Sequence, residues 1–307
     1  MKKILIVGAG PMGIAHLKSF LNHHQRYEIF ISDLRMNEIK VKNLNLFKKF
    51  KNINISKNLP KNLTLDLAII STNSKERYSI IKDILKYNKI KNLLLEKFIF
   101  SNLKIFYLFE KLIIKKGLKN IFVNSWGEYI SKKLKINEHL KNNKKLKVKI
   151  NINKGGMLTN LIHYLDFVSQ FLKKNKFQLI EKRVSIINSK RKKYNELHGV
   201  LNIEMGSNTI SFNSNFKKNF QTIEITDNYI NYLIEINRQG NCNLYKNKKL
   251  LKRIPFPFAS EKTEQWYRNF TEKKNKERFK NNYKKIAYLS KQILIVLKGI
   301  DKKISIT

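Results

Sequence analysis

The chain has 307 residues, of which 42% are hydrophobic and 11% aromatic, which is ordinary for a globular protein and enough to bury two sizeable cores. Its single cysteine, Cys242, excludes a disulfide framework within the chain and fits a reducing cytoplasm. The 63 lysines and arginines against 22 acidic residues give a formal net charge of +41, which raises the question of an anionic partner.

The basic excess favours compositional bias over a nucleic-acid interface. No DNA- or RNA-binding motif accompanies the charge, and the basic clusters are scattered over the later chain, at KNNKKLKVK (141–149), SKRKKY (189–194), KNKKLLKR (246–253) and EKKNKERFKNNYKK (272–285). We therefore expect no specific nucleic-acid partner, although a basic nucleic-acid binder stays open as a third class of function.

Membrane and secretory signals are weak in this sequence. The start, MKKILIVGAG, has glycines within its apolar run, and no small-x-small cleavage site follows it. The longest later apolar run, ILIVL (293–297), is too short to span a bilayer. The sequence therefore predicts a cytoplasmic protein without a membrane span.

Up to about residue 123, short apolar runs alternate with segments of helical periodicity. Strands are predicted at ILIV (4–7), YEIFIS (27–32), INI (53–55), LDLAIIS (65–71), NLLLE (92–96) and NIFVN (120–124). Helices are predicted between them, for example at YSIIKDILKY (78–87) and LKIFYLFEKLIIKK (103–116). Continuous apolar strands that alternate with helices indicate a doubly wound parallel sheet, so we assign residues 1–123 to a dinucleotide-binding Rossmann domain.

The pattern changes after residue 124. Helical stretches at 127–142 and 158–174 flank an alternating strand at 145–153, and further alternating strands follow at 183–188, 198–205, 209–213, 221–226 and 229–237. Strands joined by short polar turns indicate an open, mostly antiparallel sheet in an α+β domain over 124–307. We expect the C-terminal helix, about 283–298, to pack back on the first domain.

The glycines of GAGPMG stand in a strand–turn–helix context. Gly8 suits a tight turn, Gly10 allows a diphosphate to approach the backbone, and Gly13 allows close packing of helix and strand. Asp33, at the end of the second predicted strand, is expected to bind the adenine ribose and to favour NAD, whereas Arg35 leaves NADP possible. The alternative is a nucleotide-free sheet with Asp33 as a helix N-cap. The predicted cofactor-binding residues of this segment are Gly8, Gly10, Pro11, Met12, Gly13, Asp33 and Arg35.

Two further predicted strands end in polar residues. One is followed by Ser71, Thr72 and Asn73, which we expect near the nicotinamide ribose. Another is followed by Glu96 and Lys97, which must leave the sheet at the carboxyl edge where ligands of parallel sheets bind. The alternative for this pair is a salt bridge within a loop.

A polar stripe runs along the predicted helix at 158–174. Asn160, His163, Asp166 and Gln170 recur at three- and four-residue spacing beside a broad apolar face, as in a helix that lines a cleft. The alternative is a core histidine whose partner is Asp166 or the backbone. The remaining histidines show no metal-ligand spacing, so no metal site is predicted.

Together these segments resemble the Gfo/Idh/MocA family of NAD(P)-dependent oxidoreductases. The resemblance rests on GAGPMG (8–13), on STNS (71–74) in place of Thr-Pro-Asn, on Glu96-Lys97 without the following proline, and on GGMLTNLIHYLDF (155–167). It implies a Rossmann domain followed by a domain with an open, mostly antiparallel sheet. It also implies that Lys97 and His163 lie beside the nicotinamide. Within the family it points to a branch associated with sialic-acid-like and surface-sugar biosynthesis.

The resemblance implies hydride transfer between NAD, or possibly NADP, and a sugar-like alcohol or ketone. His163 is then the general base, Lys97 stabilises the developing alkoxide, and Asn160 stands where the branch has aspartate. Asp166, Trp126 and Tyr129 are expected to contact the substrate. The family also implies a homodimer or homotetramer. Because Asn160 lacks a carboxylate, a catalytically silent dinucleotide-binding sensor or scaffold is the alternative function.

Overall fold

The computed structural model describes residues 1–140, 145–153, 156–172, 176–189, 194–216, 220–227, 229–237, 240–256, 259–272, 282–301, 304 and 306. The chain divides into two compact units. The first unit comprises Met1–Asn124 and Ala259–Ala287, and the second comprises Ser125–Phe258 and Tyr288–Thr307. The first segment of the first unit ends at Asn124, beside the predicted boundary near 123, and the chain returns to that unit over 259–287. The sequence predicts such a return only for the C-terminal helix, about 283–298, which this division splits after Ala287.

A parallel sheet forms the centre of the first unit. In the described part of this unit it has six strands in the order β3-β2-β1-β5-β7-β8. A short parallel pair, β4 with β6, accompanies it. The strands are β1 (Lys2–Val7), β2 (Tyr27–Ser32), β3 (Ile53–Ser56), β4 (Thr64–Leu65), β5 (Leu67–Ile70), β6 (Lys89–Ile90), β7 (Asn92–Leu95) and β8 (Asn120–Val123). The Rossmann sheet is therefore confirmed.

Aspartate 66 divides one predicted strand into two. The sequence predicts a single strand over 65–71, but the carboxylate of Asp66 accepts a hydrogen bond from the backbone N–H of Lys3 at 2.8 Å, and β4 ends before it. The side chain thus takes the place of a ladder partner, and β5 resumes at the next residue.

Helices connect the strands of the first unit. They are α1 (Pro11–Ser19), α2 (Met36–Phe47), α3 (Arg77–Tyr87) and α4 (Leu103–Lys115), with a 3₁₀ helix at Leu21–Arg26. Asn102 caps α4 by accepting a hydrogen bond from Lys104 N. A later segment completes the unit with a 3₁₀ helix (Ala259–Lys262) and α8 (Thr263–Thr271). It packs through Phe270, whose ring lies edge-on to Phe122 at 5.1 Å between centroids.

The strand register aligns the polar strand ends. Val7 pairs with Ser32 and with Ile70, Ile70 pairs with Leu95, and Leu95 pairs with Val123. Because the strands are parallel, the residues that follow these partners come to the same carboxyl edge. These residues are Gly8, Asp33, Ser71, Glu96 and Asn124.

The second unit is built on a mostly antiparallel sheet, as predicted. Its described residues form eight strands in the order β10-β11-β12-β9-β13-β14-β15-β16, of which only β9 and β12 pair in parallel. The strands are β9 (Lys147–Asn153), β10 (Gln178–Asn188), β11 (Asn195–Met205), β12 (Asn208–Phe216), β13 (Phe220–Thr226), β14 (Asn231–Asn237), β15 (Asn241–Lys246) and β16 (Lys249–Pro255). The last two were not among the predicted strands.

Four helices of the described chain lie wholly or partly in the second unit: α5 (Gly127–Leu134), α6 (Ile136–His139), α7 (Met157–Leu172) and α9 (Asn282–Ile300). The single helix predicted at 127–142 is broken at Lys135, which has a left-handed backbone with φ 57°. α7 is buried over most of its length. In the described residues, no helix combines the length and apolar character that crossing a bilayer requires.

Candidate functional site

The glycine turn between β1 and α1 has a different requirement at each glycine. Gly8 adopts φ +89°, and its N–H donates to Ser32 O at 2.9 Å. A Cβ at Gly13 would lie 1.8 Å from Gly8 O, so only glycine lets α1 approach the turn this closely. A Cβ at Gly10 would meet nothing within 4 Å. Gly8 and Gly13 thus shape the turn, and the space beside Gly10 is open.

Asp33 ties the glycine turn to the end of β2. Its Oδ2 accepts a hydrogen bond from Ala9 N at 2.8 Å, and its Oδ1 accepts one from Arg35 N at 2.9 Å. The side chain of Arg35 is 65% exposed, with Nε 3.8 Å from Asp33 Oδ1. Each carboxylate oxygen keeps a second lone pair, which can accept a hydrogen bond from a hydroxyl group.

These residues fit a dinucleotide. The N-terminus of α1 has Gly10 as its N-cap residue, which provides no side-chain cap, and Pro11 at its first position. Met12 and Gly13 follow in the first turn, whose N–H groups point along the helix axis and suit a diphosphate. The open space at Gly10 admits a ligand to the backbone, and Asp33 at the neighbouring strand end suits a ribose.

The three residues after β5 have different surroundings. The hydroxyl of Ser71 lies 2.7 Å from Gly8 O and 3.0 Å from Val7 O, so it donates to the glycine turn. Thr72 Oγ1 is buried and, as far as the described residues extend, has no hydrogen-bond partner. Asn73 is exposed, and its carbonyl accepts from the backbone N–H of Arg77 at the start of α3. Ser71 thus fixes the glycine turn, whereas the Thr72 hydroxyl can still form a hydrogen bond with a ligand.

Glu96 is a buried carboxylate in a polar chain. Its Oε1 lies 2.8 Å from His16 Nε2 and 2.5 Å from Asn124 Nδ2. Thr263 donates its own hydroxyl proton to Ser260 O, so it accepts from His16 Nδ1 at 2.7 Å. Both ring nitrogens of His16 therefore face oxygen atoms of buried side chains.

Burial and hydrogen bonding shift the pKa of Glu96 in opposite directions. Burial by itself raises the pKa of this carboxyl. The hydrogen bond and charge of His16, the hydrogen bond from Asn124 and the charge of Arg77 outweigh it and hold the pKa below its usual range. Glu96 is thus held as an ionised structural partner directly before Lys97.

Arg77 holds the backbone on both sides of Lys97. Its guanidinium is 2% exposed and donates through Nη1 to the carbonyls of Glu96, Phe98 and Ile99. Through Nη2 it also donates to Thr72 O. One buried cation therefore joins the two strand-end loops of the first unit. Lys97 itself is half-buried, and the peptide bond that follows it is cis.

In the second unit, Ser125, His163 and Asp166 form a hydrogen-bonded group. The hydroxyl of Ser125 lies 2.7 Å from Asp166 Oδ2 and 3.2 Å from His163 Nδ1. Gln170 Nε2 donates to Asp166 Oδ1 at 3.0 Å, and Glu128 N lies 3.3 Å from Asp166 Oδ2. The predicted stripe on α7 thus places His163 and Asp166 against one side chain that the sequence did not indicate.

Trp126 packs on His163. The two rings are stacked, with centroids 5.2 Å apart and planes 29° apart. Tyr164 and Phe256 contact the indole edge-on, and Trp126 is 8% exposed. Its surroundings are therefore aromatic side chains of its own unit. Tyr129 is half-buried.

The N-terminus of α7 is closed by two side chains. Asn160 Nδ2 donates to Gly156 O at 2.9 Å, within the first turn of the helix. Glu196 on β11 accepts from the backbone N–H groups of Leu158 at 2.8 Å and Thr159 at 3.0 Å. Burial raises the pKa of Glu196, although these hydrogen bonds oppose the rise. Gly155, the first glycine of the quoted pair, lies outside the described residues.

The sequence predicts no role for several residues of these networks, among them His16, Arg77, Ser125 and Glu196. His16 is one of the histidines without metal-ligand spacing. Its position three residues after Gly13, on the first turns of α1, is the one local signal that could have placed it near the strand ends. The other three have partners distant in sequence and no pattern of their own.

Residues 2–117 match the model of the Gfo/Idh/MocA oxidoreductase family, described as its NAD-binding Rossmann fold. This part of the chain therefore carries the NAD(P)-binding fold that the glycine pattern predicted. A search of curated proteins finds no similar sequence.

Solved structures share the fold over nearly the whole chain. The oxidoreductase YvaA from Bacillus subtilis superposes with a TM-score of 0.70 at 12% identity and covers 100% of this chain and 99% of its own. UDP-N-acetylglucosamine 3-dehydrogenase from Acidithiobacillus ferrooxidans superposes with a TM-score of 0.64 at 8% sequence identity, and the match covers 98% of this chain and 97% of the dehydrogenase. Biliverdin reductase from Synechocystis sp. PCC 6803 superposes with a TM-score of 0.61 at 11% sequence identity, and the match covers 96% of this chain and 98% of the reductase. At these identities the similarity shows the fold, and the different substrates of the last two proteins show that this fold does not select a substrate.

Proposed function

We propose that this chain is an NAD(P)-dependent oxidoreductase that acts on an alcohol or ketone carbon of a sugar-like substrate. The observation that carries the proposal is the open cradle at Gly10, with Asp33 at the neighbouring strand end and Lys97 at another end of the same sheet edge. A bound nicotinamide would accept or supply the hydride. The family match over 2–117 supports this class of reaction.

Two side chains have proposed roles at the reacting oxygen. In the direction of alcohol oxidation, His163 accepts the hydroxyl proton as general base. Lys97 donates a hydrogen bond to the same oxygen and stabilises the developing negative charge. The cage of carbonyls around Arg77 fixes the backbone on both sides of Lys97, and this supports a positioned ammonium rather than a solvated lysine.

The sugar-like substrate is the finer part of the proposal. It rests on the resemblance to the surface-sugar branch, and the UDP-N-acetylglucosamine dehydrogenase among the structural neighbours shows that a protein of this fold can act on such a substrate. Tyr129 is proposed to contact the substrate, and Trp126 is proposed to act indirectly, by stacking on the ring of His163. Asp166, which is 1% exposed and hydrogen-bonded to Ser125, is proposed to act through Ser125 rather than by touching the substrate.

Cofactor binding and turnover are tested separately. Titration of NADH and NADPH, followed by calorimetry, should give saturable heat. A panel of free and nucleotide-linked sugars should then give a substrate whose turnover changes absorbance at the nicotinamide band.

Lys97→Met and His163→Asn should each lower kcat by about 10²-fold or more. Lys104→Met and His139→Asn, on an exposed helix position and on α6, should leave kcat unchanged. No heat with either nucleotide would end the proposal.

A silent dinucleotide-binding sensor or scaffold is the second candidate. The observation that favours it is Asn160, whose amide donates to Gly156 O within its own helix and cannot supply a carboxylate. In that case NADH binds, no sugar is turned over by the wild type, and Asn160→Asp creates turnover. Turnover by the wild type would exclude this candidate.

A further inference from the structure

Asp166 accepts hydrogen bonds from a serine hydroxyl, a backbone N–H and a glutamine amide. Ser125 Oγ lies 2.7 Å from Oδ2, Glu128 N lies 3.3 Å from the same oxygen, and Gln170 Nε2 lies 3.0 Å from Oδ1. The side chain is 1% exposed. In each of these contacts the hydrogen belongs to the hydroxyl, the backbone amide or the side-chain amide, so Asp166 is the acceptor.

The single hydroxyl proton of Ser125 is thereby assigned. If it pointed at His163, the Ser125 and Asp166 oxygens would face each other at 2.7 Å with no proton between them, which is repulsive. The proton therefore lies between Ser125 and Asp166. The lone pairs of Ser125 Oγ then face His163 Nδ1 at 3.2 Å and Gly127 N at 3.5 Å. Because Ser125 Oγ is the acceptor in its contact with His163, Nδ1 must be the nitrogen that carries the hydrogen.

We infer that Ser125 and Asp166 are positioning residues that hold neutral His163 as the Nδ1–H tautomer and leave its Nε2 as the proton acceptor. Trp126 fixes the plane of the same ring by stacking on it. The use of this tautomer in catalysis rests on the proposed function, because a general base needs an unprotonated nitrogen. The tautomer itself requires neither cofactor nor substrate.

The tautomer can be measured in the free protein. The chain has six histidines, so ¹⁵N-histidine labelling gives few ring signals, and the His163→Gln variant identifies those of His163. Long-range ¹H–¹⁵N correlations distinguish the two ring nitrogens. At a pH where the His163 titration shows a neutral ring, we expect the protonated-type signal on Nδ1 and the unprotonated-type signal on Nε2. The reverse assignment in the wild type would overturn the inference.

Variants separate positioning from general packing. Ser125→Ala should shift both His163 ring-nitrogen signals towards intermediate values, because the tautomer is no longer held, and Ser125→Thr should restore the wild-type pattern. Ser131→Ala is the matched control, since Ser131 is a buried serine of α5 that takes no part in this group. Unchanged His163 signals in Ser125→Ala, or the same shift in Ser131→Ala, would contradict the inference.

Turnover provides an independent arm. Once a substrate is known, Ser125→Ala should lower kcat by about tenfold or more with little change in KM, because an orienting partner acts in proton transfer. A wild-type spectrum with Nδ1–H but no turnover on any substrate would overturn the proposed function and support the inference. A spectrum with Nε2–H would overturn the inference whatever the turnover.

Discussion

The carboxylate of Asp33 accepts a hydrogen bond from the backbone N–H of Ala9, 2.8 Å away and 24 residues earlier in the chain. The group expected to bind the adenine ribose is therefore also the group that closes the glycine turn. Its charge and its hydrogen-bonding capacity serve different purposes, and substitutions can separate them.

Replacing Asp33 should change nucleotide preference and stability independently. Asp33→Asn keeps an acceptor for Ala9 N but removes the negative charge, so the ratio of NADP to NAD affinity should rise by about tenfold with little loss of stability. Asp33→Ala removes both and should also lower the free energy of unfolding by about 1–3 kcal/mol. Calorimetric titration with both nucleotides and urea denaturation measure the two effects. An unchanged affinity ratio in Asp33→Asn would contradict the assigned role.

Alanine at Gly10 and at Gly13 should have opposite effects. A methyl group at Gly13 would lie 1.8 Å from Gly8 O, so Gly13→Ala should destabilise the protein by about 3 kcal/mol or more. A methyl group at Gly10 meets open space, so Gly10→Ala should cost less than about 1 kcal/mol. It should nevertheless weaken NADH binding by about tenfold, because it occupies the proposed diphosphate cradle. Wild-type NADH affinity in Gly10→Ala would show that the nucleotide does not bind there.

The Glu96 network should make stability depend on pH. Because its folded-state pKa is lowered, ionised Glu96 contributes its full stabilisation above the pKa of an unfolded glutamate, about 4.3. That contribution is lost as pH falls through the lower folded-state pKa. Glu96→Gln should therefore cost about 3–5 kcal/mol at pH 7 and progressively less below about pH 4.

Urea denaturation of wild type and Glu96→Gln between pH 3 and pH 7 measures this difference. Glu261→Gln is the control, because Glu261 is an exposed glutamate of the same unit. A difference between wild type and Glu96→Gln that stays constant or grows towards acid would show that the ionised form is not the stabilising one.

Gly127 should be essential to the packing of α5 on α7. A Cβ there would lie 2.4 Å from Phe167 N and 2.7 Å from Asp166 Oδ2. Gly127→Ala should therefore lower the free energy of unfolding by about 3 kcal/mol or more and displace Asp166. Gly299→Ala, at a helical position with open space, should leave stability unchanged or raise it by up to about 1 kcal/mol. Equal stability of the two variants in urea denaturation would contradict this assignment.

Local pattern was enough to predict most of the fold. Continuous apolar runs at β1, β5 and β7 and alternating runs at β9 to β14 gave the parallel sheet and the mostly antiparallel sheet. The pattern does not predict β15 and β16, because neither has a period of two. Cys242, Asn243 and Leu244 of β15 are buried in succession, whereas Ile254 is the one buried residue of the lysine-rich edge strand β16.

The sequence by itself determined the glycine turn, the acid after β2 and the polar stripe on α7, since each is set by the spacing of neighbours along one element. Only the tertiary structure decided which groups they bond. Arg77 joins loops that follow β5 and β7, Ser125 meets Asp166 from 41 residues away, and His16 meets Thr263 from 247. Hydrogen bonds act over about 3 Å, whereas sequence periodicity describes a single helix or strand, so such partners are fixed only when the elements pack.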